Sequence, residues 1–422
     1  MTPSFRLLAK RRFLPLFATQ FLGAFNDNLF KTAMVLFATY AIYSDPAKEA
    51  GFNALATGLF ILPFFLLSAL SGQLADTRDK ARIIRLVKTA EIAIMLIGAV
   101  GLLLSLVPVM LAAVLAMGIH STFFGPIKYA ILPQHLKKEE VLGGTGLVEA
   151  GTYLAILAGT ILAGFIDART TALTVLGVAA LGWLTARAVP SAPPSGDTPP
   201  LDFHIVRASI TLVSGTMHIS RLFRAICAIS FFWMIGSILI IQFPPLVKNI
   251  FTADEKVASL FLAIFSIGVA IGSVLINRLL QGTVSARYAP ASVVAMGVCI
   301  IFLALTAKGW EGLPDDRLYG LAEFARHPAA WEVFLALLGV SVTGGMFVVP
   351  LYAFLTTTVA ADQTARTVAA NNIVNSGAMV VGAAGVLALS AAGIGVVETL
   401  YLVSGLCLIA AWIAWKLHCA CD

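Results

Sequence analysis

Charge is what this sequence has least of: Asp, Glu, Lys and Arg make up 12% of 422 residues, hydrophobic residues 59%, and the mean hydropathy is +0.92. An ordinary soluble domain carries about a quarter charged residues, so that class is excluded. Alternating ten-residue segments are missing too, which excludes an outer-membrane barrel. Cysteine is scarce: Cys227, Cys299 and Cys407 fall in apolar stretches and Cys419 and Cys421 at the chain end, so no disulfide framework is expected. The terminal pair has no further ligands nearby and reads as a plain tail; with no zinc or phosphate-loop spacing either, no metal and no cofactor are expected. The first apolar stretch, residues 13–43, is too long for a signal-peptide core and is expected to stay in the protein.

What is present is a series of long apolar runs. About twelve windows read as spanning helices: 13–43, 52–75, 83–105, 107–132, 142–166, 171–189, 223–247, 257–280, 289–307, 332–358, 370–392 and 396–416. The expected class is therefore an all-α integral membrane protein of twelve transmembrane helices. The formal charge of +6 sits in short inter-helix loops, where it sets orientation and meets membrane lipids rather than nucleic acid. With the N-terminus in the cytoplasm, roughly eighteen Lys and Arg fall inside and roughly seven outside. Both termini are expected to be cytoplasmic.

The chain divides six plus six at "PSAPPSGDTPP", which cannot continue a helix. Residues 1–189 form one expected six-helix bundle, 190–222 a cytoplasmic linker and 223–422 a second bundle. Residues 201–225 mix apolar side chains with Arg207, Arg221 and Arg224, and read equally as an interfacial amphipathic helix or a polar connector. The halves also echo each other: Pro126 matches Pro350, Tyr129 matches Tyr352, Gly151 matches Gly377 and Glu149 matches Asn375. A parallel repeat of this kind implies a central site and alternating access.

The first span carries "QFLGAFNDNLFK", Gln20 to Lys31, with Asp27, Asn26, Asn28 and Lys31 in a stretch meant for hydrocarbon. Buried ionisable groups cost a few kcal/mol on insertion scales and are functional candidates. Asp27 and Lys31, four apart, share a helix face with Gln20. Two readings stand: a mutually neutralising pair that glues helices, or part of a binding site with Lys128 and Glu149. His120 reads as a proton carrier or a hydrogen-bonded structural histidine, and Lys88 with Glu91 as a local ion pair.

"GQLADTRDKAR", Gly72 to Arg82, resembles the loop signature of the major facilitator superfamily. The resemblance implies two six-helix bundles, close helix approach at Gly72, and gating charge contacts through Asp76, Arg78, Lys80 and Arg82. "FNDNLFK", "HSTFFGPIKYAILPQHLKKEE" and "GLVEAGTYLAILAGT" resemble, more narrowly, the lysophospholipid transporter family, in particular the transporter portion of bacterial acyltransferase fusions. That implies movement of lysophospholipids such as lysophosphatidylethanolamine across the bacterial inner membrane to the cytoplasmic leaflet for reacylation. An acyltransferase acting on the product is then a further partner. The residues carried over are Asp27, Asn28, Lys128 and Glu149.

A zwitterionic headgroup asks for a cation on its phosphate and carboxylates on its amine. Lys128 with Lys31 is assigned to the phosphate, Asp27 and Glu149 with Asn28 to the amine, and Asn375 to the second half's share of the site. Lys128 has the alternative of snorkelling to the inner interface. The rival function is a proton- or sodium-coupled carrier of a small soluble solute or drug, which shares the fold. No histidine is followed by Asp five positions on, the spacing of the glycerolipid acyltransferase box, and no acyltransferase segment follows the last span, so no enzymatic role is expected.

Overall fold

In the computed structural model, residues 3–194, 201, 203–281, 285–313, 317–357 and 364–421 are described. Most of the Pro- and Ser-rich run, residues 195–200, lies outside them. The elements are helical throughout, and the only extended pairing among the described residues is a single bridge between Ala253 and Tyr319. In chain order they are α1 (Leu14–Phe37), a π-helical continuation (Ala38–Ile42), α2 (Pro46–Thr77), α3 (Lys80–Leu103), α4 (Val107–Ala130), α5 (Leu132–His135), α6 (Lys138–Ala163) and α7 (Ala168–Arg187). Then follow α8 (Ile205–Met217), α9 (Ser220–Asn249), α10 (Glu255–Leu280), α11 (Ala289–Lys308), α12 (Leu321–Arg326), α13 (Ala330–Thr357), α14 (Thr364–Ala391) and α15 (Val396–Cys421).

Ten of these helices are long and apolar enough to cross a membrane. Two more helices complete the twelve, α1 and α6. Gln20, Asn26, Asp27, Asn28 and Lys31 dilute the apolar character of α1, and α6 contains the apolar stretch Leu147–Ala163. Large apolar side chains stand exposed along the other helices, for example Leu86, Leu103, Leu173, Leu181 and Trp412. Water would not tolerate so much exposed apolar surface, and lipid does.

Two compact units emerge: Met1–Phe37 with Leu62–Ala208, and Ala38–Ile61 with Ser209–Asp422. In the first, α1 packs on α6 and α7, and α3 packs on α4 and α7. The α1–α6 contact is close enough that a methyl on Gly159 would sit 2.5 Å from the Phe25 carbonyl oxygen, so only glycine fits. In the second unit, α9 packs on α14 and α15, and α13 packs on α10 and α11. Gly272 and Gly345 play the corresponding part there: a methyl on either would run into the backbone of the facing helix. The second unit also buries an ion pair, Lys248 Nζ to Glu49 Oε1 at 2.5 Å, with Lys248 donating further to the Tyr43 carbonyl at 2.8 Å.

One end of the first unit is tied by polar contacts. Glu140, near the start of α6, accepts from Lys10 and from Arg12 (2.5 Å). Asp79 caps α3, accepting from the Ala81 N–H at 2.9 Å, and also accepts from the Ser191 hydroxyl at 2.6 Å and the Ala192 N–H at 3.0 Å. Arg85 adds a bond to the Val189 carbonyl at 2.9 Å. The loop before α3 is thereby fastened to the chain leaving α7.

Candidate functional site

The polar residues of α1 face two separate clusters within the first unit. Gln20 belongs to one and Asp27 to the other; seven residues, about 10 Å of helix, part them.

The first cluster lies where α4 meets α6. Pro126 sits inside α4, and two and three residues on Lys128 and Tyr129 reach α6. Lys128 Nζ donates to the Thr152 hydroxyl at 3.3 Å, and the Tyr129 hydroxyl donates to Glu149. Thr152 in turn donates to Gln20 Oε1 at 2.8 Å, which brings in α1. Lys128 also lies 4.9 Å from the centre of the Tyr129 ring. Lys128 and Glu149 are both half-buried, so an ammonium and a carboxylate are held side by side and still reachable.

The second cluster is deeper. Lys88 and Glu91 on α3 pair at 2.5 Å and are fully buried. A methyl on Gly23 would strike Lys88 Nζ, so α1 makes room for it. Asn26 donates to Glu91 Oε1 at 2.9 Å, and His120 Nε2 stands 3.3 Å from Glu91 Oε2. His120 Nδ1 is 3.3 Å from the Ser121 hydroxyl, which donates to Asp27 Oδ2. The Lys88–Glu91 pair expected to be local is local in sequence, yet it connects through His120 and Ser121 to Asp27.

The remaining candidates are placed as follows. Asn28 donates to the Ala24 carbonyl of its own helix at 2.9 Å, and Lys31 is half-buried one turn beyond Asp27. In the second unit Asn375 is buried; it accepts from Ser230 at 2.8 Å and donates to the Tyr352 hydroxyl at 3.2 Å, which also accepts from Trp233 at 2.8 Å. Around the α2–α3 loop, Asp76, Arg78 and Arg82 are exposed and Lys80 is buried. Among the described residues, a methyl at Gly72 would meet nothing within 4 Å, so the close helix approach expected there is not seen among them. The acid that makes the contacts in this loop is Asp79. Its carboxyl is held below the ordinary aspartate range: burial pushes it up, but the Ser191 hydroxyl and the N–H groups of Ala192, Ala81 and Arg82 outweigh that.

The sequence profile of the Major Facilitator Superfamily matches residues 16–383. The chain belongs to that superfamily. Its relatives include the lysophospholipid transporter LplT of Serratia proteamaculans, 25% identical over 357 residues, covering 82% of this chain and 80% of that one. The protein of the same name from Cronobacter sakazakii is 26% identical, with 82% and 81% covered. Among solved structures, an inward-facing, unoccupied bacterial homologue of the human lysosomal transporter Spinster superposes with a TM-score of 0.71 at 13% identity over 97% of both chains. A D-xylose–proton symporter reaches 0.68 at 12% identity, over 96% of this chain and 98% of its own. At these identities the structures speak for the fold alone. The superfamily and the relatives named here are transporters, and the apolar helices fit a multi-pass membrane protein.

Proposed function

We propose that the protein transports lysophospholipids such as lysophosphatidylethanolamine to the cytoplasmic leaflet of a bacterial inner membrane. The product is then reacylated by a partner acyltransferase. In this reading residues 1–189 and 223–422 are the two transport bundles, joined by 190–222, with both termini cytoplasmic and passage by alternating access. Asp76, Arg78, Lys80 and Arg82 belong to the inner gate.

One observation carries the proposal: the α4–α6 cluster offers a cation and a carboxylate to a single ligand. Lys128 suits a phosphate, and Glu149, with Tyr129 on one oxygen, keeps acceptor capacity for a primary amine. The relatives named for lysophospholipid transport support the choice of ligand. Asp27 is sequestered with Ser121 and His120, so the headgroup contacts we assign to it in the sequence shrink to a supporting part.

Thermal unfolding of the detergent-purified protein tests this. A specific ligand present at a hundred times its Kd adds about 2.7 kcal/mol. Lysophosphatidylethanolamine is expected to raise the midpoint in the wild type and to lose most of that effect in Lys128→Ala and Glu149→Gln. A midpoint moved by sugars or cationic drugs and not by lysolipids would overturn the reading.

A further inference from the structure

The segment after the Pro- and Ser-rich run folds as α8, Ile205–Met217, and at 3.6 residues per turn its side chains fall into three sectors. Ala208, Leu212 and Thr216 share one side and are half-buried or buried. Arg207, Thr211 and Ser214 are exposed on another. Between the two, Val206 and Ile210 are 67% and 61% exposed, with Phe203 just ahead of the helix exposed as well. A connector bathed in water needs a packed side and a polar side; an open apolar side calls for something to cover it.

Where α8 leads says what that is. It ends at Met217, and the membrane-spanning α9 starts at Ser220, so the two are separated by at most about 11 Å of chain. One turn into α9, Arg224 donates to the Lys416 carbonyl of α15 at 3.3 Å. Beside Lys416 stand Trp412 and Trp415, both exposed, the side-chain type that gathers at headgroup level; Lys416 Nζ lies 4.1 Å from the centre of the Trp412 ring. The start of α9 is therefore at the membrane surface, and α8 with it. Charge then selects the lipid. Arg207, Arg221 and Lys416 are exposed, and neither Asp nor Glu occurs from Phe203 to Ala253 or from Thr399 to Cys421. Basic residues without acids among them, next to a membrane, attract anionic headgroups.

We propose that α8 lies in the membrane interface and docks on anionic phospholipid, with Phe203, Val206 and Ile210 toward the acyl chains and Arg207, Arg221, Arg224 and Lys416 toward the phosphates. The apolar side sinks roughly 5–10 Å, to the boundary of headgroups and acyl chains, while Thr211 and Ser214 stay in water. Guanidinium groups suit the phosphates because they can give two parallel N–H bonds. The docking is independent of the transport reading; only the name of the leaflet rests on it. With both termini cytoplasmic, the connector is held by the same leaflet that the transported lipid joins.

The test uses the full chain with its five native cysteines replaced by serine, labelled with bimane at one position at a time and reconstituted in vesicles of phosphatidylcholine and phosphatidylglycerol. On Val206→Cys and Ile210→Cys the label is expected to be quenched by phospholipid carrying a nitroxide high in its acyl chain and to be shielded from aqueous iodide. On Thr211→Cys and Ser214→Cys the order is expected to reverse. Nitroxide-labelled phosphatidylglycerol is expected to quench Ile210→Cys at a mole fraction about fivefold below that of labelled phosphatidylcholine. That preference is expected to vanish in about 1 M salt and to shrink when Arg207→Gln and Arg221→Gln are combined. Iodide reaching Val206→Cys and Ile210→Cys as readily as Thr211→Cys overturns the docking and leaves the apolar side to a protein partner. Lipid quenching that is equal for the two headgroups, or indifferent to salt, overturns the anionic assignment. In intact cells, an impermeant thiol reagent is expected to spare Thr211→Cys. Its reaction there overturns the leaflet and with it the orientation in the transport reading, while the quenching pattern still decides the docking.

Discussion

In each unit a helix interrupted by proline brings a tyrosine against the next long helix. After Pro126, Tyr129 donates to the carboxylate of Glu149; after Pro350, Tyr352 accepts from the amide of Asn375 and from Trp233. Six residues before Pro126 stands His120, facing Glu91; six before Pro350 stands Gly344, where a methyl would lie 3.2 Å from Phe232 and 3.3 Å from the Met296 sulfur. The same contact geometry is thus kept with the charge removed. The second unit does bury an ion pair, Glu49 with Lys248, but it joins helix ends rather than the middle of the repeat-related helices. The repeat preserves the frame, while the chemistry for a charged ligand is concentrated in one copy.

The sharpest way to break the comparison is to strand a charge. Lys88→Met leaves Glu91 buried beside Asn26 and His120, and is expected to cost about 3–5 kcal/mol, read as a fall in thermal midpoint in detergent. The neutral network of the second unit should fail more gently. Asn375→Ala leaves Ser230 and Tyr352 short of a partner and is expected to cost about 1–3 kcal/mol with lysolipid affinity unchanged.

Glu149→Gln exchanges the chemistry without the frame. The amide still accepts from Tyr129, so stability should move by less than about 1 kcal/mol, while lysolipid titration should show affinity lower by about tenfold or more. The smallest effect belongs to Asp79. Its carboxyl titrates below the ordinary range when folded, so its contribution is present above that range and lost as pH falls through the depressed value. Wild type should lose stability more steeply on acidification than Asp79→Asn, measured by denaturation from about pH 6 to 3, and by only a small margin because the group is largely exposed.

Hydropathy made all twelve spans legible, because a run of about twenty apolar residues has few other uses. The polar stripe of α1 was legible as well, since Gln20, Asp27 and Lys31 share a face. What one-dimensional spacing could not give was the neighbour across the stripe. Lys88 and Glu91 read as a pair on α3, and only packing joins them to Asp27 through His120 and Ser121. Tyr129 marked the repeat, yet its hydroxyl contact to Glu149 depends on how α4 meets α6. At the α2–α3 loop the family spacing drew attention to Asp76, while Asp79, standing just before the helical "KARIIR", carries the ordinary mark of a helix cap and makes the bonds.

The polar make-up of α1 bears on how the chain enters a membrane at all. Asp or Lys at the centre of an inserting helix costs about 2.5–3.5 kcal/mol each, and α1 has both. The groups that satisfy its polar side chains come later in the chain: Glu91 for Asn26 after 65 residues, Ser121 for Asp27 after 94, Thr152 for Gln20 after 132. α1 is therefore made before the helices that make it tolerable in lipid, and its residence there is completed from downstream as α3, α4 and α6 arrive. For this bundle, the order of synthesis and the order of stabilisation run in opposite directions.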